Sequence, residues 1–254
     1  MTIVPPGKTD IDKHTLWLQQ AESLSFAARL DYIDVLVDQA GIDQSFQNAM
    51  YQLSPAARWF ALFEGTPEAG TMEYSPMVMR LHFAFSQHRA LLEQLMKYFA
   101  GMPRFTLLIS PLVFDLLSRH LQALSQVQWE EQTGLLRYYD NRVFPSLLTY
   151  VLTARQQAAF TDVALFWSWR DRDGEIVWKT GTFTPERRLA DKPEMNRIDD
   201  KQVGLMGCIS DAEALMKEKT PGESSLENYF ARCLEMAVRA NDAGYFGPLR
   251  DFER

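Results

Sequence analysis

The sequence is poor in cysteine and carries no excess of positive charge. Its two cysteines, Cys208 and Cys233, are isolated, so they supply neither a disulfide framework nor a zinc-binding pair, and a reducing, cytoplasmic compartment is expected. The net charge is −7 and the isoelectric point is about 5.2. An acidic chain generates no global positive field, which argues against nucleic acid as its partner.

Long apolar runs are also missing, and no secretory leader is expected. The most apolar stretch, residues 105–117, is shorter than a membrane span and is interrupted by Ser110-Pro111 and Asp115. The first ten residues, MTIVPPGKTD, contain no charged segment followed by an apolar core. With 46% hydrophobic and 23% charged residues, the composition is that of an ordinary soluble globular protein, and no membrane partner is expected.

Recognisable catalytic and metal-binding motifs are scarce. No G-x-G-x-x-G, G-x-S-x-G or H-E-x-x-H pattern occurs, and GKT at 7–9 lacks the earlier glycine that a phosphate-binding loop requires. His120 lies close to the apolar face of a helix, where a hydrogen-bonded core histidine is the commoner outcome. The sequence therefore predicts no metal, no cofactor and no catalytic pair.

Hydrophobic periodicity predicts mixed secondary structure up to about residue 180 and helices after it. The expected strands are 32–38, 58–63, 76–81, 104–110, 135–143, 163–169 and 175–179. The expected helices are 14–24, 44–52, 86–100, 111–124, 144–152, 211–217 and 225–241. Ser110 is the expected N-cap of the fourth helix, with Pro111 at its first position.

This pattern predicts an α/β (mixed α+β) N-terminal lobe, with a central sheet flanked by helices, followed by a small α-helical C-terminal lobe. The expected units are a lead-in and helix over 1–29, the α/β domain over 30–180, and a polar connection with the helical lobe over 181–254.

The most unusual stretch is LLRYYDNRV at 135–143, which places three charges in an otherwise apolar segment. Strand alternation puts Arg137 and Tyr139 on one face and Tyr138 on the other. Asp140 is expected to cap the following helix and to bridge to Arg137, Arg142 or both. A recognition surface is the alternative that these residues leave open.

A short charged segment, RDRDG at 170–174, joins two strand patterns. Asp173-Gly174 is typical of a hairpin turn. The segment resembles part of a calcium loop but lacks the third acidic position and the terminal glutamate, so a plain exposed turn is predicted.

The last helix pattern has a broad apolar stripe. Ser224 followed by Glu227 predicts a capping box at its start. The stripe can pack on the α/β lobe or offer aromatic anchors to a partner. Under the second hypothesis the partner-binding residues are Tyr229, Phe230, Leu234, Tyr245 and Phe246.

Five segments, in their order along the chain, resemble the type VI secretion adaptor family, the effector chaperones of the Tap or TEC type. They are DYIDVLVDQA, SPAARWFALFEGTPEA, SPLVFDLLSRHL, GLLRYYDNRVFPSLL and ALFWSW. The resemblance covers roughly residues 30–180, and members usually carry proline at the position of Asn141. Its motif residues here are Asp38, Arg137, Tyr138, Tyr139, Asp140 and Arg142.

The resemblance implies a cytoplasmic bacterial protein that is not an enzyme. Such a protein binds a secreted toxic effector and helps to load it onto the spike protein VgrG. Two other functions stay open from the residues: a hydrolase assembled from Asp38, His120 or Asp140, and an immunity protein that neutralises a toxin.

Overall fold

A computed structural model describes residues 8–40, 50–186, 189–190, 193–218, 225–245 and 247–252, with side chains from residue 13 onward. The strands are β1 (Tyr32–Val37), β2 (Arg58–Ala61), β3 (Met77–His82), β4 (Phe105–Ile109), β5 (Gln126–Trp129), β6 (Gln132–Leu135), β7 (Phe166–Arg170), β8 (Ile176–Thr180) and β9 (Asn196–Ile198). The helices are α1 (Lys8–Ala27), α2 (Ser86–Tyr98), α3 (Phe114–Leu124), α4 (Phe144–Ser146), α5 (Ala154–Thr161), α6 (Asp200–Met216) and α7 (Leu226–Asp242). A π-helix (Leu147–Val151) continues α4, and short 3₁₀ helices span Pro67–Tyr74 and Leu249–Asp251. The helix predicted at 44–52 lies outside the described residues except for its end.

Six strands form one antiparallel sheet in the order β2-β3-β1-β4-β7-β8. The central strand β1 alternates as predicted, with Ile33 packed on one face and Leu36 on the other. Val37, at the carboxyl end of β1, pairs with both Met77 and Phe105. The segments that follow β1 and precede β3 and β4 therefore meet at one end of the sheet.

Helices cover both faces of this sheet. On one face α1 and α2 bury an apolar cluster that includes Trp17 and Leu92. On the other face the cluster combines sheet residues with α3, α6 and α7, and it includes Leu121, Ile209 and Phe230. The mixed α/β class with helices at the C-terminal end is confirmed. The C-terminal helices share one core with the sheet, because their buried residues belong to the same apolar cluster as residues of its strands.

A second, three-stranded sheet has the order β6-β5-β9. Its strand β9 pairs in parallel with β5 and lies in the stretch that the sequence predicts to be only a polar connection. Helix α6 begins at Asp200, well before the predicted start at 211, since Asp199 and Gln202 form a capping box there. The alternating pattern needed to predict β9 is only three residues long.

The predicted N-caps of two helices are wrong. Helix α3 begins at Phe114 with Val113 as its N-cap, not at Pro111. The Ser110 hydroxyl instead donates to the Val163 carbonyl at 2.6 Å and accepts from the Leu112 backbone N–H, so it fixes the loop between β4 and α3. The N-cap of α7 is Ser225, whose hydroxyl accepts from the Asn228 N–H, and the predicted cap Ser224 lies outside the described residues.

Candidate functional site

The predicted strand at 135–143 is wrong. Only Leu135 belongs to a strand, and residues 136–143, here called the motif segment, form successive turns. Tyr138 and Tyr139 are both buried, but they lie in turns and pair with no neighbouring strand among the described residues. Turn hydrogen bonds, among them one from the Asp140 N–H to the Arg137 carbonyl at 3.1 Å, replace the ladder of a sheet.

The motif segment is fastened to the sheet where β4 begins. The Asn141 N–H donates to the Pro103 carbonyl at 2.9 Å, and its side-chain amide donates to the Phe105 carbonyl at 2.8 Å. Its amide oxygen accepts from the Thr106 hydroxyl at 2.7 Å. Tyr138 is fully buried and donates to the Leu121 carbonyl of α3 at 2.9 Å. The segment therefore has one fixed position relative to β4 and α3.

Asp140 does not cap a helix as predicted, because α4 begins at Phe144 with Val143 as its N-cap. Its carboxylate instead forms a two-pronged ion pair with Arg142, from Nε at 3.0 Å and from Nη2 at 2.7 Å. One carboxylate oxygen also accepts from the Arg142 backbone N–H at 3.0 Å. This pairing raises the pKa of Arg142 above its usual value, so its guanidinium stays charged.

Arg137 lies between two buried carboxylates. Its Nη2 is 3.4 Å from Asp38 Oδ2 and 3.7 Å from Asp140 Oδ2, so Asp140 faces both arginines of the motif. Asp38 follows β1 directly and also accepts from the Ala40 N–H at 3.0 Å. The predicted bridge from Asp140 is present to both arginines, and Asp38 is the additional member. Tyr139 packs beside this group, and burial raises its pKa to about 12.

The hairpin between β7 and β8 is more than the exposed turn that the sequence predicts. Arg172 is 7% exposed, and its guanidinium contacts Glu213 of α6 and Glu227 of α7, the latter at 3.1 Å. It also donates to the Arg142 carbonyl at 2.7 Å and lies 3.6 Å above the Phe230 ring. One arginine therefore joins the motif segment to both C-terminal helices.

The neighbouring hairpin residue Asp173 caps α7. Its carboxylate accepts from the Leu226 N–H and the Ser225 hydroxyl, each at 2.6 Å, and from the Glu227 N–H at 3.3 Å. A carboxylate here satisfies backbone donors that the helix leaves open and meets the positive end of its dipole. Asp171 holds the turn itself, because its carboxylate accepts from the Glu175 N–H at 2.8 Å. Asp171 and Asp173 thus both have structural roles that require no bound cation.

The motif segment and Asp38 fall within residues 35–159, which match the family model described as Domain of unknown function (DUF4123). These residues belong to the DUF4123 family. The family is known as the effector chaperone and adaptor domain of type VI secretion, which confirms the resemblance seen in the sequence. Neither the curated proteins nor the solved structures contain a significant match to the chain.

The DUF4123 match ends before the hairpin that carries Arg172 and before α6 and α7. The Arg172 contacts therefore connect the family domain with a part of the chain that the family model does not describe. In the described part of the chain, no helix is long and apolar enough to cross a membrane.

The residues predicted to bind a partner do not form one surface. Phe230 and Leu234 are 4% and 3% exposed and belong to the core that α7 shares with the sheet. Tyr229 is half-buried at the edge of that core, with Arg232 over its ring at 5.6 Å. Tyr245 packs on Phe252, and Phe246 lies outside the described residues. The stripe packs in the core that α7 shares with α6 and the sheet, and partner binding stays a prediction for Tyr229, Tyr245 and Phe246.

The three residues of the hydrolase hypothesis do not share one set of contacts. His120 lies on α3, where its Nε2 is 2.9 Å from the Ala190 carbonyl oxygen, and burial lowers its pKa. It is thus the hydrogen-bonded core histidine that the sequence predicts. Asp38 and Asp140 face Arg137 instead. Among the described residues, no group of three histidine, cysteine or acidic side chains is arranged to hold a metal ion.

The sequence reasoning missed a buried ion pair in the middle of the sheet. Asp34 and Arg80 are direct partners on β1 and β3, and two hydrogen bonds of 2.8 Å join them. Arg80 also donates to the Leu112 carbonyl and lies 3.8 Å above the Tyr32 ring. Burial raises the pKa of Asp34 to about 6 even though Arg80 opposes the shift. In the sequence, the charged residue Asp34 within an otherwise apolar strand was the feature that could have indicated this ion pair.

Proposed function

We propose that this protein is a non-catalytic adaptor that binds a type VI secretion effector and promotes its loading onto the VgrG spike. The observation that carries the proposal is the DUF4123 match over residues 35–159, since this family is associated with effector adaptors and is generally non-enzymatic. Such a function places the protein in the bacterial cytoplasm, where effectors and spike proteins are assembled.

The arrangement of the motif residues supports a binding function over a catalytic one. Asp38 and Asp140 are 0% and 4% exposed in their side chains, and each contacts an arginine. A general base has to reach a substrate proton, whereas these carboxylates lie behind the guanidinium groups. The arginines, at 53% and 44% exposure, are the groups that a partner meets.

The direct test is purification of the full chain with the effector and the VgrG protein of its own bacterium. We expect the tagged chain to retain the effector alone, and to form a complex with both proteins when VgrG is added. An immunity protein would retain the effector but would form no complex that contains VgrG. Failure to retain either protein would refute the proposal.

A matched pair of variants tests the contribution of α7. Tyr229→Ala removes the half-buried aromatic residue of the predicted docking surface, and Tyr150→Ala removes a tyrosine that is 53% exposed elsewhere. Under the prediction, Tyr229→Ala weakens effector retention more than Tyr150→Ala does. If both variants retain the effector equally well, Tyr229 is not part of the docking surface.

A further inference from the structure

Arg137 and Arg142 are presented to solvent in a way that favours recognition. Their side chains are 53% and 44% exposed, while the carboxylates that hold them, Asp38 and Asp140, are almost fully buried. The negatively charged carboxylates are thus buried beneath the positively charged guanidinium groups, which face the solvent. Both guanidinium groups reach the same oxygen of Asp140, so they lie side by side.

Each guanidinium keeps N–H groups for another acceptor. Arg142 uses its Nε and Nη2 for Asp140, which accounts for two of its five N–H donors. Arg137 makes one contact of hydrogen-bonding length to a carboxylate, at 3.4 Å from Asp38, and its contact to Asp140 is longer. A guanidinium fixed along one edge is pre-organised to bind a carboxylate along another, because less conformational freedom is lost.

The cavity beside Arg142 is lined by more basic than acidic side chains, although Arg142 and Arg172 are themselves paired with carboxylates. Arg142 lines a cavity of about 370 Å³ in which the ionisable groups are four basic and two acidic side chains. These are Arg142, Arg170, Arg172 and Lys217, with Asp171 and Glu213. Met102 and Pro103 line the same cavity, and Met102 is 40% exposed. The whole chain, in contrast, has a net charge of −7.

This contrast indicates which ligand fits. A polyanion such as nucleic acid would be repelled by the rest of the surface. A short acidic segment of a protein meets only the local field, and its apolar neighbours can contact Met102. Carboxylates also match the planar fork of arginine, which binds them with two parallel hydrogen bonds.

We propose that Arg137 and Arg142 bind carboxylate side chains of an acidic segment in the protein partner. This inference rests on the proposed adaptor function and deepens it, because it assigns the motif segment to a contact of stated chemistry. Asp38 and Asp140 are positioning residues for the two arginines.

The first test uses the purified full chain and a short polyglutamate peptide, followed through the arginine Nε–H signals in nitrogen-15 NMR spectra. Arg58 is the matched control, because it is 56% exposed and pairs with Asp115, a carboxylate that is itself 66% exposed. The expected result is a saturable shift at Arg137 and Arg142 that exceeds the shift at Arg58. Equal shifts at all three arginines would overturn the proposal, as would stronger binding of a short oligothymidylate at the same residues.

The second test measures VgrG and effector binding by Arg137→Gln, Arg142→Gln and the control Arg58→Gln. Loss of a charge-assisted hydrogen bond predicts a roughly tenfold to hundredfold weaker Kd for one of the two partners with either motif variant, and an unchanged Kd with the control. Circular dichroism checks the fold, and Arg142→Lys, which keeps the charge but not the fork, is expected to give an intermediate loss.

The outcomes separate this inference from the proposed function. If the wild-type chain binds its partners and both glutamine variants bind equally well, the arginines are not the contact although the adaptor function stands. If the wild-type chain binds neither partner, the adaptor function fails, and the peptide titration decides whether the arginines bind carboxylates at all.

Discussion

Arg172 is the residue whose removal tests the connection between the DUF4123 domain and the C-terminal helices. Its side chain is 7% exposed, and it contacts Glu213, Glu227, the Arg142 carbonyl and the Phe230 ring. The variant Arg172→Ala leaves two carboxylates and one carbonyl without their common donor. It also uncovers one face of a buried aromatic ring.

The size of the effect follows from the burial of these groups. Removing one partner of a buried ion pair costs roughly 3–5 kcal/mol, because the other partner is left uncompensated. Glu213 and Glu227 are 24% and 33% exposed, so water recovers part of their hydration. We therefore expect the lower end of that range, about 3 kcal/mol, which for a domain of this size lowers the melting temperature by roughly 6–12 °C.

The assay is thermal and denaturant unfolding of Arg172→Ala beside Arg58→Ala, which breaks an exposed pair with Asp115. An exposed pair contributes about 0–1 kcal/mol, so the control should change little. A double-mutant cycle with Glu227→Ala isolates the direct term, with an expected coupling of about 1–3 kcal/mol. If Arg172→Ala is no less stable than Arg58→Ala, the reasoning is refuted.

Three further outcomes are expected. Asp140→Ala should cost about 2–3 kcal/mol of unfolding free energy, since Arg142 is half exposed and rehydrates; unchanged melting together with lost partner binding would make Asp140 an interface residue instead. Folding raises the pKa of Asp34 to about 6, so the folded state binds the proton before the unfolded state does. Relative to Asp34→Asn, wild type should therefore gain about 2 kcal/mol of unfolding free energy as the pH falls from 6 to 4, and a gain with rising pH would contradict this. The purified protein should contain no stoichiometric metal and hydrolyse no peptidoglycan, lipid, nucleotide or peptide, and one zinc ion per chain by metal analysis would contradict that.

Strands with a clear alternating pattern were predictable from the sequence, and the motif segment was not. In β1 the apolar residues Ile33, Val35 and Val37 recur at every second position and share one buried face, while Leu36 is buried on the other. In the motif segment Tyr138 and Tyr139 are buried in turns, where the backbone is not extended. Residue types alone indicate that both tyrosines are buried, but they do not indicate the turns.

The charged contacts were predictable only where they are local. Asp140 and Arg142 are two residues apart, so their pairing follows from the motif itself. Arg172 binds glutamates that lie 41 and 55 residues further along the chain, and no spacing rule points to them. The apolar stripe of α7 likewise predicts a buried face without indicating that α6 and Arg172 of the hairpin help to bury it.

Arg142 takes part both in the proposed binding of an acidic segment and in the Arg172 contact, but through different atoms. The two effects can therefore be tested separately. Its guanidinium is half exposed and faces the proposed acidic segment, whereas its backbone carbonyl accepts from Arg172. Arg142→Gln changes the first group and keeps the second, so it should weaken partner binding while α6 and α7 stay docked. Arg172→Ala removes the donor and keeps the exposed guanidinium, so it should lower stability with a smaller effect on polyglutamate binding. If either variant instead produced both losses in equal measure, the motif segment and the C-terminal helices would act as one unit, and partner binding would depend on their docking.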